Sequence, residues 1–189
     1  MKQARVPTDA EFKRLMAVVA QGRHSARNRM AFMLSYHAGL RVGEIAGLTL
    51  TDVVDRDGEV REQLRLSAEI TKGGHARVVF VSARLRREIM AFLADHGKNA
   101  DQKRPLLVTQ KGSAFSANTL CQLMGRLYAE AGLDGASSHS GRRWFITRLA
   151  HSGVSAKVIM TLAGHKNLGT TQRYIDVNDE MMRSAVERL

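Results

Sequence analysis

The chain has 189 residues, 44% of them hydrophobic, enough for one domain with a substantial core. Its 29 Lys and Arg against 18 Asp and Glu leave +11 at neutral pH, a surface that attracts polyanions, with nucleic acid first among them. The lone Cys121 excludes an internal disulfide and a multi-cysteine zinc site, no apolar stretch approaches the roughly 20 residues of a membrane span, and MKQARVPTDAEF holds no apolar signal region, so a cytoplasmic protein is expected.

Thr8 and Glu11 read as a capping box, and Phe12, Leu15, Met16 and Val19 follow at helical spacing. A second helix is predicted over about Ser25 to Ala38, stopped by Gly39, with Arg41 at the start of a short third. Between Leu48 and Val81 the β-branched residues increase. Asp57-Gly58 and Lys72-Gly73-Gly74 offer two tight turns there, which predicts a small antiparallel sheet. Leu85, Ile89, Phe92 and Leu93 restore the helical period, Gly97 to Arg104 reads as a loop, and Leu106 to Thr109 as a brief extended piece. Leu120, Leu123, Met124, Leu127 and Tyr128 mark a helix ending near Gly132, with Cys121 expected in the core, and two or three more helices follow. The fold class is α+β, mainly helical, with the sheet inserted among helices.

Three segments set Arg, His and Tyr beside glycines: GLRVGEIAGL with Arg41, HSGRR with His139 and Arg142, and LAGHKNLGTTQRYI with His165 and Tyr174. Each alone is a weak signal. In this order, with Lys72 on a hairpin between the first and second, they resemble the tyrosine recombinase (phage integrase) family over nearly the whole chain.

The chemistry of these residue types agrees with that resemblance. A phosphodiester gains negative charge in a pentacoordinate transition state, and arginine offers a permanently charged planar fork that phosphate oxygens accept. The resemblance makes Arg41 and Arg142 the phosphate-binding pair; read without it, two surface arginines in ion pairs remain possible. Glu44, one helical turn after Arg41, either orients that guanidinium or forms an ordinary ion pair. Lys72 is implied to protonate the departing 5′ oxygen, the alternative being a solvated charge at a turn. His139 should begin a helix with Arg142 on the same face, pairing an acid-base group with a cation, unless it only meets phosphate or solvent. His165 matches the family's last phosphate-contacting residue, with Gly164 turning the backbone toward it; the alternative is a helix cap. Tyr174 stands where the family carries its nucleophile, whereas Tyr36 and Tyr128 read as packing residues. Arg143, Lys166 and Arg173 are candidates for further DNA contacts.

The pattern departs from the family at HSGRR, where Gly141 replaces a leucine and Arg143 a second histidine. Gly141 weakens a helix by up to about 1 kcal/mol, which predicts a less rigid site, and Arg143 is expected to add a phosphate contact. The resemblance implies site-specific recombination of double-stranded DNA through a 3′-phosphotyrosine, with no metal or other cofactor. It implies a tetramer on DNA, with a monomer possible in solution. A type IB topoisomerase-like relaxing activity and a regulator with decayed catalysis are the alternatives. The expected organisation is a catalytic domain over 1–178 and a tail helix over 179–189 that docks in cis or in trans. Met181, Met182, Ala185, Val186 and Leu189 form the tail's apolar stripe. The family's usual N-terminal core-binding domain is expected to be absent, leaving DNA binding weak and salt-sensitive.

Overall fold

A computed structural model describes residues 4–96, 103–175 and 179–187. The Thr8 capping box opens α1 (Asp9–Gln21), which buries Phe12, Leu15 and Val19. Helix α2 (Ser25–Ala38) is buried on nearly every side, from Met30 through Tyr36, which makes it the central helix of the domain. It ends at Gly39 in the left-handed conformation, and α3 (Val42–Gly47) starts three residues later with Arg41 as its cap.

The region read as sheet is partly helical, because the Thr49–Asp52 capping box nucleates a short turn, α4 (Leu50–Val53). Strands β1 (Gln63–Leu66) and β2 (Arg77–Phe80) then pair antiparallel, Leu64 opposite Val79 and Leu66 opposite Arg77. Leu64, Leu66 and Val79 face the core, while Val78 and Phe80 lie exposed on the other side. A tight turn does form around Asp57-Gly58, closed by the Val54–Val60 bridge. A second tight turn forms at Lys72-Gly73, closed by the Gly74 N–H on the Thr71 carbonyl, but it sits within a longer connection over residues 67–76, folded on itself by Thr71, whose hydroxyl donates to the carbonyls of Ala68 and His75.

Helices α5 (Ala83–His96) and α6 (Ala117–Glu130) close the main core around α2. Of the expected loop Gly97 to Arg104, residues 97–102 lie outside the described ones. Leu106 to Thr109 is held by single bridges, Thr49 to Pro105 and Val108 to Ala114. Among the described residues, four further helices follow rather than two or three: α7 (Ser140–His151), α8 (Ala156–Ala163), α9 (Leu168–Gln172) and α10 (Asp179–Val186). The extra one is α9, five residues long, which shows no apolar period. Cys121 is half-buried with its thiol toward the Ser138 hydroxyl, because it lies at the edge of the α6 stripe rather than in it. In α10, Met182 and Val186 are exposed; Leu189 and the side chains of Met181 and Ala185 lie outside the described residues.

Helix α7 packs closely on α2, and Gly141 is the reason it can. A Cβ there would overlap the Ser35 hydroxyl and come within 2.6 Å of the Tyr36 ring. The expectation that Gly141 loosens the site is therefore corrected: the missing side chain lets two helices meet, and Gly141 is itself buried. Tyr36 and Tyr128 behave as packing residues, fully buried with hydroxyls 3.1 Å apart.

Candidate active site

Two helices end alike, and their ends face each other. Helix α2 stops at Gly39 (φ 63°), with the Leu40 N–H returning to the Leu34 carbonyl. Helix α8 stops at Gly164 (φ 63°), with the His165 N–H returning to the Met160 carbonyl. The first stop delivers Arg41, the second His165. Carbonyls at both ends carry the negative pole of a helix, so a cation belongs between them.

Arg142, 4% exposed, is that cation: its guanidinium donates to the Gly39 carbonyl at 2.6 Å and to the Ala163 carbonyl. Burial, and then the nearby Arg41, push it down to about 9, which leaves it charged at neutral pH. Arg41 donates to Glu44 at 3.0 Å and to the Gly164 carbonyl at 3.4 Å. Glu44 is only 1% exposed and also accepts from the Arg41 N–H at 2.8 Å. Burial alone would raise its carboxyl, but Arg77, the Arg41 N–H and the Arg41 guanidinium outweigh that and hold it below the ordinary range.

Residues of the 67–76 connection close the other wall. Arg41, Lys72, His75, Arg77, His165 and Lys166 line a cleft of about 440 Å³. The Lys166 side chain crosses Gly73, where a Cβ would approach its Cε to 3.1 Å. His139, exposed at the head of α7, has its imidazole pushed below the ordinary value by partial desolvation, then by Arg142, Arg41 and Lys72. His165 is buried with Nδ1 2.8 Å from the Thr171 hydroxyl, and burial with Arg142, Arg41 and Arg77 brings it down to about 4. Both shifts favour the neutral imidazole.

Tyr174 follows α9 directly. Its ring stacks on that of His165 at 5.7 Å between centroids, and the Arg143 guanidinium lies 5.1 Å from its centre. Tyr174 also lies within electrostatic range of Arg142. Arg41, Glu44, Lys72, His139, Arg142, Arg143, His165, Lys166 and Tyr174 thus converge on one region of a single chain; Arg173, the exposed cap of α9, has no place in the cleft. Among the described residues, no group of three or more His, Cys, Asp and Glu is arranged to hold a metal ion.

Arg77 and Thr171 were not singled out from the sequence. The signal for Arg77 was the strand parity that puts it on the inward face with Val79; for Thr171 it was a hydroxyl one helical turn before Tyr174.

The phage integrase family pattern matches residues 5–181. The tyrosine recombinase XerC of Rhodospirillum centenum is 35% identical over 162 residues, 85% of this chain and 46% of that protein. The chain therefore spans about half the length of that relative. The crystal structure of XerA recombinase matches with a TM-score of 0.77 at 21% identity, covering 99% of this chain and 66% of that one. The pre-cleavage complex of the XerH site-specific recombinase bound to difH substrate gives 0.73 at 21%, covering 98% and 54%. Among the described residues no helix is long and apolar enough to cross a membrane. With the helix-end arginines, the cleft lysine and the tyrosine stacked on His165 all carried by the matched segment, this chain belongs to the phage integrase family.

Proposed function

We propose that this chain is the catalytic part of a site-specific recombinase that breaks and rejoins double-stranded DNA through Tyr174. The observation that carries the reading is the stacking of Tyr174 on His165, beside Arg142 and within the same chain. A phenol is a weak nucleophile until cations and hydrogen bonds stabilise its oxyanion, and the positive cluster supplies them.

The Tyr174 oxygen attacks the scissile phosphorus and forms a 3′-phosphotyrosine, while the bond from phosphorus to the 5′ oxygen breaks. Arg41 and Arg142 bind the non-bridging oxygens, whose charge grows in the transition state. His165, neutral and oriented by Thr171, offers its Nε2 edge to the same phosphate. Lys72 gives its proton to the 5′ oxygen, and neutral His139 accepts that of the phenol. The new ester conserves the energy of the broken one, so a free 5′ hydroxyl can reverse the attack. The relatives named above are recombinases, which favours strand exchange over relaxation alone.

Residues 1–178 make up the catalytic domain in this reading, and 179–189 a tail helix. The tail's exposed Met182 and Val186 are suited to docking, in cis or on a neighbour within a tetramer on DNA. The compartment is the cytoplasm.

A nicked suicide duplex, whose 5′ fragment diffuses away after cleavage, should trap a covalent adduct with the protein. Tyr174→Phe removes one oxygen and should abolish that adduct; an adduct that persists in the variant would refute Tyr174 as nucleophile.

A further inference from the structure

Two guanidiniums share the buried Glu44 carboxylate. Arg41 reaches it from α3 at 3.0 Å, and Arg77 from β2 with Nη2 at 3.0 Å and Nε at 3.4 Å. The third Arg77 nitrogen, Nη1, donates to the Leu162 carbonyl at 3.2 Å, in the last turn of α8. Three of the five Arg77 N–H groups thus have protein acceptors, which tie this side chain to Glu44 and to the end of α8. Its path is cut to measure: a Cβ on Gly164 would come within 2.9 Å of Arg77 Cδ and Nε. The glycine that ends α8 therefore also admits Arg77, besides turning the chain toward His165.

We propose that Arg77 is a positioning residue of the cleavage site, neutralising Glu44 so that Arg41 keeps its charge for the substrate phosphate and bracing the end of α8 that presents His165. This rests on the reading of the site as a phosphotyrosine-forming centre. The charge argument is short. Glu44 and Arg41 alone form a neutral pair, and a neutral pair has little attraction for an anion. With Arg77 added, the trio retains one positive charge, and its exposed part is Arg41, whose side chain is 25% accessible against 15% for Arg77. The register that sets Arg77 opposite Leu66 places it on the inward face of β2, which ties the sheet to the active site.

The test compares the wild type, Arg77→Gln, Arg77→Lys and the double variant Arg77→Gln/Glu44→Gln. Single-turnover cleavage of a suicide duplex at saturating protein is measured together with DNA affinity at fixed salt and the His165 imidazole titration by NMR. Arg77→Gln should slow saturated cleavage on the order of 10- to 100-fold, as loss of a supporting contact behind a reacting group does, with affinity nearly unchanged. Glu44→Gln in the same chain should restore most of the rate by removing the uncompensated carboxylate, a rescue that a merely structural role would not give. Arg77→Lys, which keeps the charge, should be faster than Arg77→Gln. The His165 titration should move up in Arg77→Gln and back down in the double variant. A double variant no faster than Arg77→Gln, or affinity falling in step with rate, would overturn the proposal. If the wild type forms no adduct, the cleavage reading fails by itself; a His165 titration unmoved by Arg77→Gln then defeats the electrostatic role independently.

Discussion

Among the described residues the two hydrophobic clusters are unequal, and the site lies across the seam between them. The larger runs from Phe12 to Leu133 around α2; it fixes α3 with Arg41 and Glu44, and the strands that flank the Lys72 connection. The smaller has Ile146, Ala150, Ile159 and Ala163 as its buried residues, with Tyr174 packed against it. Free energies of local opening follow the density of buried apolar contact. Arg41 therefore sits on the more densely packed part of the fold, His165 and Tyr174 sit with the sparser part, and Arg142 bonds to both. In the proposed strand transfer, such a division sets a firmly packed Arg41 against a nucleophile held by fewer buried apolar contacts.

The contrast can be broken most forcefully from the large side. Phe32→Ala, in the middle of α2, should cost about 3–5 kcal/mol of global stability, read by denaturant unfolding. Ile159→Ala in the small cluster should cost about 2 kcal/mol, the low end for such a truncation. Its effect should appear as faster hydrogen exchange confined to α8 and α9 with slower cleavage. Equal global losses from the two would mean that the clusters unfold as one unit.

Acid gives an effect of intermediate size on both sides. His37 and His165 are each pushed from an ordinary 6.5 down to about 4, first by burial and then by nearby cations. The unfolded chain takes up these protons first as the pH falls, so stability should decline between about pH 6.5 and 4 and be fully present above that window. Each shift is worth at most about 3 kcal/mol. His165→Gln should remove only the small cluster's share and flatten, without abolishing, the dependence of Tm on pH; an unchanged slope would show that His165 already protonates freely in the fold. The smallest effect concerns the exposed pair Arg148–Asp9, 2.8 Å apart, which links α7 to α1. Asp9→Asn should change stability by a few tenths of a kcal/mol, and a larger loss in a thermal melt would mark a coupling between the regions that packing does not explain.

Much of this was legible in the sequence because helix ends leave marks. Thr8 with Glu11, Gly39 before Arg41 and Gly164 before His165 are local signals, and local geometry honoured them. The residues that escaped depend on what meets what across the fold. Arg77 lies in a run, RVVFV, whose alternation does not say which face is inward until Leu66 and Leu64 pair with it. Gly141 was misread because a helix-weakening residue and a helix-contact residue look identical until α2 is laid against it. The tight turn marked by Lys72-Gly73-Gly74 is present, but the longer 67–76 connection around it, built by Thr71 bonding to Ala68 and His75, left no local mark.

Arg142 joins the carbonyl ends of α2 and α8, and it is also an arginine assigned to the reacting phosphate. A strut that doubles as a reagent cannot be removed cleanly: its loss would leave two helix ends with unmatched carbonyls pointing into a buried gap. Inactive proteins intended for trapping assembled complexes are therefore better made at Tyr174, whose hydroxyl can be deleted without unpinning the scaffold. By the same reasoning, a descendant of this chain that gave up catalysis while keeping its shape would be expected to lose the tyrosine before the arginine.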